Sequence, residues 1–150
     1  MKATIRWLGG ASFVGETDSG HAVVMDGPTD FGGRNIGPRP MEMLLLGTGA
    51  CSAFDVVAIL RKGRAEVENC VVHVEAERAD TEPKVFTHIH LRYVVHGRKL
   101  DRAKVERAVK LSAEKYCSAS IMLGRTARIE HTVEITEVNT NDGAIAGRGG

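Results

Sequence analysis

At 150 residues, 43% hydrophobic and 26% charged, the chain has the size and composition of one globular domain with a substantial core. A net charge of +1 and only 5% aromatic residues argue against nucleic acid or an acidic membrane surface as a partner, since neither a basic face nor base-stacking platforms are available. Three cysteines, in a chain that enters a strand-like pattern at MKATIRW with no charged-then-apolar leader, point to free thiols in a reducing, cytoplasmic setting.

Taken in chain order, residues 3–8, 12–17 and 21–26 read as three short extended runs. The linkers Gly9-Gly10 and Asp18-Ser19-Gly20 suit tight turns, so this is a β-meander. Residues 27–39 form a Gly- and Pro-rich loop that carries Arg34 and Arg39. Pro40 is well placed to begin a helix, which should run to about Lys62, with Arg61 and Lys62 favourable at its C-terminal end and Gly63 stopping it. Its longest apolar run, Met43 to Phe54, is shorter than the roughly 20 residues that a membrane span requires. Because the helix is apolar nearly all round, a partner chain sharing the core is expected, hence an obligate dimer.

Two long strands follow, 66–78 and 85–96. In the second, Ile89, Leu91, Tyr93 and Val95 share one face, and His88, His90 and Arg92 share the other. Asp101 then caps a helix with Val105, Ala108, Val109, Ser112 and Tyr116 at helical spacing. Residues 118–123 suggest a short third helix, and 127–137 a last strand placing Ile129, His131, Val133 and Ile135 on one side. Residues 139–150 are polar and Gly-rich and are expected to be disordered. The order βββ-α-ββ-α-α-β gives an α+β class, with mainly antiparallel strands packed on central helices.

Cys51 and Cys117, each in a helical segment and far apart in sequence, are the candidate chemical residues. If folding unites them they become an attacking and a resolving thiol. Gly47, Thr48, Gly49, Ala50 and Ser52 leave room around Cys51, and two glycines inside a helix, at about 1 kcal/mol each, call for a reason such as close packing or space for a ligand. A buried thiol is a poor nucleophile, because loss of water raises its pKa. Activation therefore needs a cation. Arg34 and Arg39 are at hand in the preceding loop, and Glu42 is placed to grip a guanidinium. Cys70 alternates with Val72 and Val74 and reads as packing, and His131 reads as a hydrogen-bonded core histidine. His88 and His90 are spaced to chelate, but they lack the further convergent ligands that zinc requires.

The stretch Pro40-Met41-Glu42-Met43-Leu44-Leu45-Leu46 leading to Gly49-Ala50-Cys51-Ser52, followed by Ser112-Ala113-Glu114-Lys115-Tyr116-Cys117-Ser118, resembles the OsmC/Ohr family of thiol-dependent peroxidases, closest to its YhfA-like branch. The resemblance covers residues 1–138. It implies an intertwined α+β homodimer whose active sites lie at the subunit interface. Cys51 would be the peroxidatic and Cys117 the resolving cysteine, with Arg34 steadying the thiolate and Glu42 orienting that arginine. It further implies reduction of an organic hydroperoxide with no cofactor, and recycling by a dithiol of the lipoyl type. The glutamate stands one residue further from the proline than in the better-studied members, and Ser118 replaces the proline that commonly follows the resolving cysteine. A non-catalytic small-molecule-binding protein with structural cysteines is the alternative reading.

Overall fold

A computed structural model describes residues 1–138; the stretch 139–150, expected to be disordered, lies outside the described residues. The chain divides into two compact units, Met1–Leu46 and the segment from Gly47 onward.

The first unit is the expected meander of β1 (Ala3–Trp7), β2 (Phe13–Thr17) and β3 (Ala22–Met25), paired antiparallel in sequence order. Gly10 has φ +53, and a Cβ there would stand 2.5 Å from the carbonyl oxygen of Gly32, so both its conformation and its closeness to the loop call for glycine. The loop after β3 is organised by Asp26, which is 1% exposed. Its carboxylate accepts from the backbone N–H groups of Gly27 (2.8 Å), Arg34 (2.8 Å) and Ile36 (3.3 Å) and from Ser12 Oγ (2.9 Å). Burial pushes its pKa up, but these donors outweigh it and hold the value down to about 2.

Helix α1 is Pro40–Lys62, as the sequence predicts. It ends in a left-handed residue, but that residue is Arg64 (φ +58) rather than Gly63. All 23 residues make it the one helix among those described that is long and apolar enough to cross a membrane, with a mean hydropathy of 1.9 and 28% of its most apolar stretch buried. Counting only the run between Glu42 and Asp55 underestimated it. Within the second unit, Thr48, Gly49, Ser52, Val56 and Leu60 are its buried residues, recurring near every fourth position as one face of a helix should.

The second unit holds a sheet in the order β4-β5-β6, formed by Glu66–Arg78, Phe86–Arg98 and Arg128–Glu137. The β4–β5 pair is antiparallel, whereas β5–β6 is parallel, because a helical crossover returns the chain in the same direction. On β5, Ile89, Leu91, Tyr93 and Val95 are wholly buried. The opposite face is a ladder to β6: His88 to Glu130 (2.7 Å), His90 to Thr132 Oγ1 (2.9 Å) and Arg92 to Glu134 (3.1 Å). The two histidines are thus engaged by their neighbours across the parallel pair.

The crossover begins with α2 (Arg102–Leu111), capped by Asp101, whose side chain accepts from the Ala103 N–H at 2.9 Å. The helical stripe expected to reach Tyr116 is interrupted. Ser112–Tyr116 forms a wide π-type turn, closed by the Cys117 N–H donating to the Ser112 carbonyl at 2.8 Å. The extra residue in the turn rotates Tyr116 outward, 49% exposed, and puts Cys117 in the core at 0%. Cys117 then becomes the N-cap of α3 (Ser118–Leu123).

Candidate functional site

Cys51 and Cys117 come together in the second unit. Their sulfurs, and a carboxylate oxygen of Asp55, all lie within 4.8 Å of one another. Cys51 and Asp55 are one turn apart on α1, so they share a face of that helix. Cys117 arrives from the π-type turn. Gly49, whose Cβ would stand 2.9 Å from Val74 Cγ2, lets the helix lie close to β4. Gly47 meets open space, and nothing in the structure explains it.

Donors converge on both sulfurs. Ser120 gives its N–H (3.4 Å) and Oγ (3.2 Å) to Cys117 Sγ. Cys51 accepts from the Ala119 N–H and is hydrogen-bonded to Cys117. The Cys51 thiol is nevertheless pushed up: burial is the largest cause, the Cys117 contact adds to it, the Ala119 N–H pulls the other way, and the Asp55 charge pushes it further. None of these groups is a cation.

Behind the thiols runs a buried hydroxyl chain that sequence inspection missed. Tyr93 Oη is hydrogen-bonded to Ser52 Oγ, Ser52 Oγ to Ser112 Oγ (2.9 Å), and Ser112 Oγ donates to Asp55 Oδ2 (3.1 Å). Burial raises the Tyr93 hydroxyl to about 12, against the lowering effect of Ser52, so it stays a neutral donor. The only available signal was a polar residue, Ser52, Asp55 or Ser112, recurring within otherwise apolar helical patterns. Replacing Asp55 by asparagine should lower the Cys51 pKa, because a repelling negative charge is removed; ultraviolet absorbance of the thiolate against pH measures it, and an unchanged or higher value would refute the charge's influence.

The other predicted site residues lie in the first unit. Glu42 pairs with Arg39: its carboxylate accepts from the Arg39 backbone N–H at 2.9 Å and from Nη1 at 3.1 Å. These contacts hold the Glu42 carboxyl below its usual range, the backbone N–H most of all. The guanidinium of Arg34 reaches Ser12 Oγ at 3.4 Å and is in no ion pair among the described residues. The guanidinium that Glu42 holds is therefore that of Arg39.

His131 on β6 stacks against the Tyr93 ring with centroids 6.0 Å apart. Its Nε2 is buried without a hydrogen-bond partner among the described residues, unlike the satisfied core histidine expected. Burial accordingly pulls its pKa down. Cys70 is half-buried on β4, and burial pushes its thiol up.

The family model for OsmC-like protein matches residues 32–132. The chain belongs to the OsmC-like family. It is 47% identical to Protein YhfA of Escherichia coli (strain K12) over 135 residues, 90% of this chain and 98% of that protein. A hypothetical protein from Aquifex aeolicus VF5 has the same fold, with a TM-score of 0.81 at 30% identity over 92% of this chain and 97% of that one. An organic hydroperoxide resistance protein OsmC from Legionella pneumophila shares the fold at 19% identity, with a TM-score of 0.67 over 89% and 95% of the two chains. OsmC-like membership also places the long apolar helix α1 within a known α+β fold.

Proposed function

We propose that this protein is a thiol-dependent peroxidase of organic hydroperoxides, built as one OsmC-like domain over residues 1–138. The observation that carries this reading is the meeting of Cys51 and Cys117 within 4.8 Å, from elements about 65 residues apart in the chain. Side-chain rotation can close such a gap to the roughly 2.05 Å of a disulfide. In the first step the Cys51 thiolate attacks the O–O bond and takes one oxygen as Cys51–SOH, and the other oxygen leaves as the alcohol after protonation. The Cys117 thiol then displaces hydroxide from that sulfur, giving the Cys51–Cys117 disulfide and water. A dithiol, of the lipoyl type in this reading, supplies two electrons and two protons to restore both thiols.

The positive charge that the thiolate requires is assigned to Arg34, which has no carboxylate partner among the described residues, while Glu42 steadies Arg39 in the same loop. A homodimer is part of this reading: α1 leaves Leu44, Leu46 and Phe54 47%, 59% and 75% exposed, an apolar surface that a second copy would cover. Cytoplasmic thiol chemistry fits the three free cysteines.

Mixing reduced protein with cumene hydroperoxide should consume peroxide, and peptide mapping should recover Cys51 linked to Cys117. No peroxide loss with excess dithiol, across several reductants, would refute the proposal. The raised Cys51 thiol favours a second reading, a small-molecule-binding protein whose cysteines only pack. In that case Cys51→Ser leaves ligand affinity unchanged.

A further inference from the structure

We infer that the reduced thiols of Cys51 and Cys117 and the carboxylate of Asp55 form a three-ligand site for a zinc-type divalent metal. This assignment does not rest on the peroxidase reading. Two thiolates and one carboxylate are a donor set for borderline-soft ions rather than for magnesium or calcium, which take oxygen ligands. Zinc–sulfur bonds of about 2.3 Å in a tetrahedron put two sulfurs about 3.8 Å apart. The three donor atoms already lie within 4.8 Å of one another, so a contraction of at most about 1 Å seats the ion, less than disulfide closure demands.

The surroundings are those of a metal site. Ser112 Oγ donates to Asp55 Oδ2 at 3.1 Å, which fixes the orientation of the carboxylate beside the sulfurs. Each sulfur accepts a backbone N–H, from Ala119 at Cys51 and from Ser120 at Cys117, as metal-bound thiolates do. Cys117 is buried while Cys51 and Asp55 are half-buried, so the cluster opens on one side, where water can complete the tetrahedron. The ion supplies positive charge next to a thiol that burial pushes up, and binding releases both thiol protons to solvent. Oxidation of the pair to a disulfide removes both sulfur ligands, so metal binding and thiol chemistry exclude each other.

The test uses the reduced, chelator-stripped full chain without peroxide. Titration with Co2+ should give sulfur-to-cobalt charge-transfer absorption saturating at one ion per chain, and Zn2+ should displace it. Cys51→Ser and Cys117→Ser should each weaken that absorption. Ser112→Ala should lower Zn2+ affinity about tenfold, and Asp55→Asn at least as much. In the unsubstituted chain, which removes any question of misfolded variants, Zn2+ should slow alkylation of half-buried Cys51 but not of half-buried Cys70. Absent charge transfer, unchanged affinity in Asp55→Asn, or alkylation that Zn2+ does not slow would each overturn the assignment. Because no peroxide enters the assay, failure here leaves the peroxidase proposal standing, and failure of that proposal leaves this one intact.

Discussion

Cys51→Ser should reduce hydroperoxide turnover by roughly a thousandfold or more, the scale on which losing a covalent nucleophile acts. A serine hydroxyl at the same place cannot take an oxygen atom from the peroxide, and the other sulfur of the cluster, Cys117, is wholly buried. Cys117→Ser should behave differently. The first oxidation proceeds, because Cys51 keeps its sulfur, but Cys51–SOH has no partner and persists until a reductant attacks it directly. One equivalent of peroxide is then consumed rapidly, followed by slow turnover, and a sulfenate-trapping reagent labels Cys51. Multiple turnovers by Cys51→Ser would remove that sulfur from the mechanism. A Cys117→Ser variant cycling at the parent rate would show that resolution does not need the second sulfur.

Tyr93→Ala should be the most damaging single change to stability near the site, at about 3–5 kcal/mol, the usual cost of emptying a buried aromatic position. The ring is wholly buried at the centre of the second unit's sheet and stacks on His131, and its hydroxyl starts the chain to Ser52, Ser112 and Asp55. Tyr93→Phe separates the two contributions. It keeps the ring but takes one partner from Ser52, which retains Ser112, so the cost should be about 1 kcal/mol. Chemical denaturation of both variants measures the difference. Equal losses would mean that the hydroxyl rather than the packed ring dominates; a negligible loss in Tyr93→Ala would contradict the burial.

The secondary structure was largely legible because it rests on local chemistry. Pro40 starts α1, Asp101 caps α2, and period-two alternation on β5 separates Ile89, Leu91, Tyr93 and Val95 from His88, His90 and Arg92. The π-type turn was not legible. Nothing in Ser112-Ala113-Glu114-Lys115-Tyr116 differs from an ordinary helical stripe, and the wider turn is recognisable only once Cys117 is seen buried and Tyr116 exposed. The parallel pairing of β5 with β6 was likewise invisible, since alternation fixes which face is buried but not the direction of the neighbour.

For the site, residue types alone nominated Cys51 and Cys117, and the motifs around them supplied the family. Asp55 and the Tyr93–Ser52–Ser112 chain went unseen: hydrogen bonds spanning 41 to 60 residues leave no local periodicity. The choice of Arg39 over Arg34 as partner to Glu42 was also open, because two arginines in one Gly-rich loop have the same composition signal and only the backbone path around Asp26 separates them. What the amino-acid order determined by itself was therefore the elements, the buried faces of the strands and the two sulfurs, all consequences of short-range backbone preference and hydrophobic period. What tertiary structure alone decided was which polar groups surround those sulfurs, because desolvated hydrogen-bond partners are chosen by how helix and sheet pack and not by their neighbours along the chain.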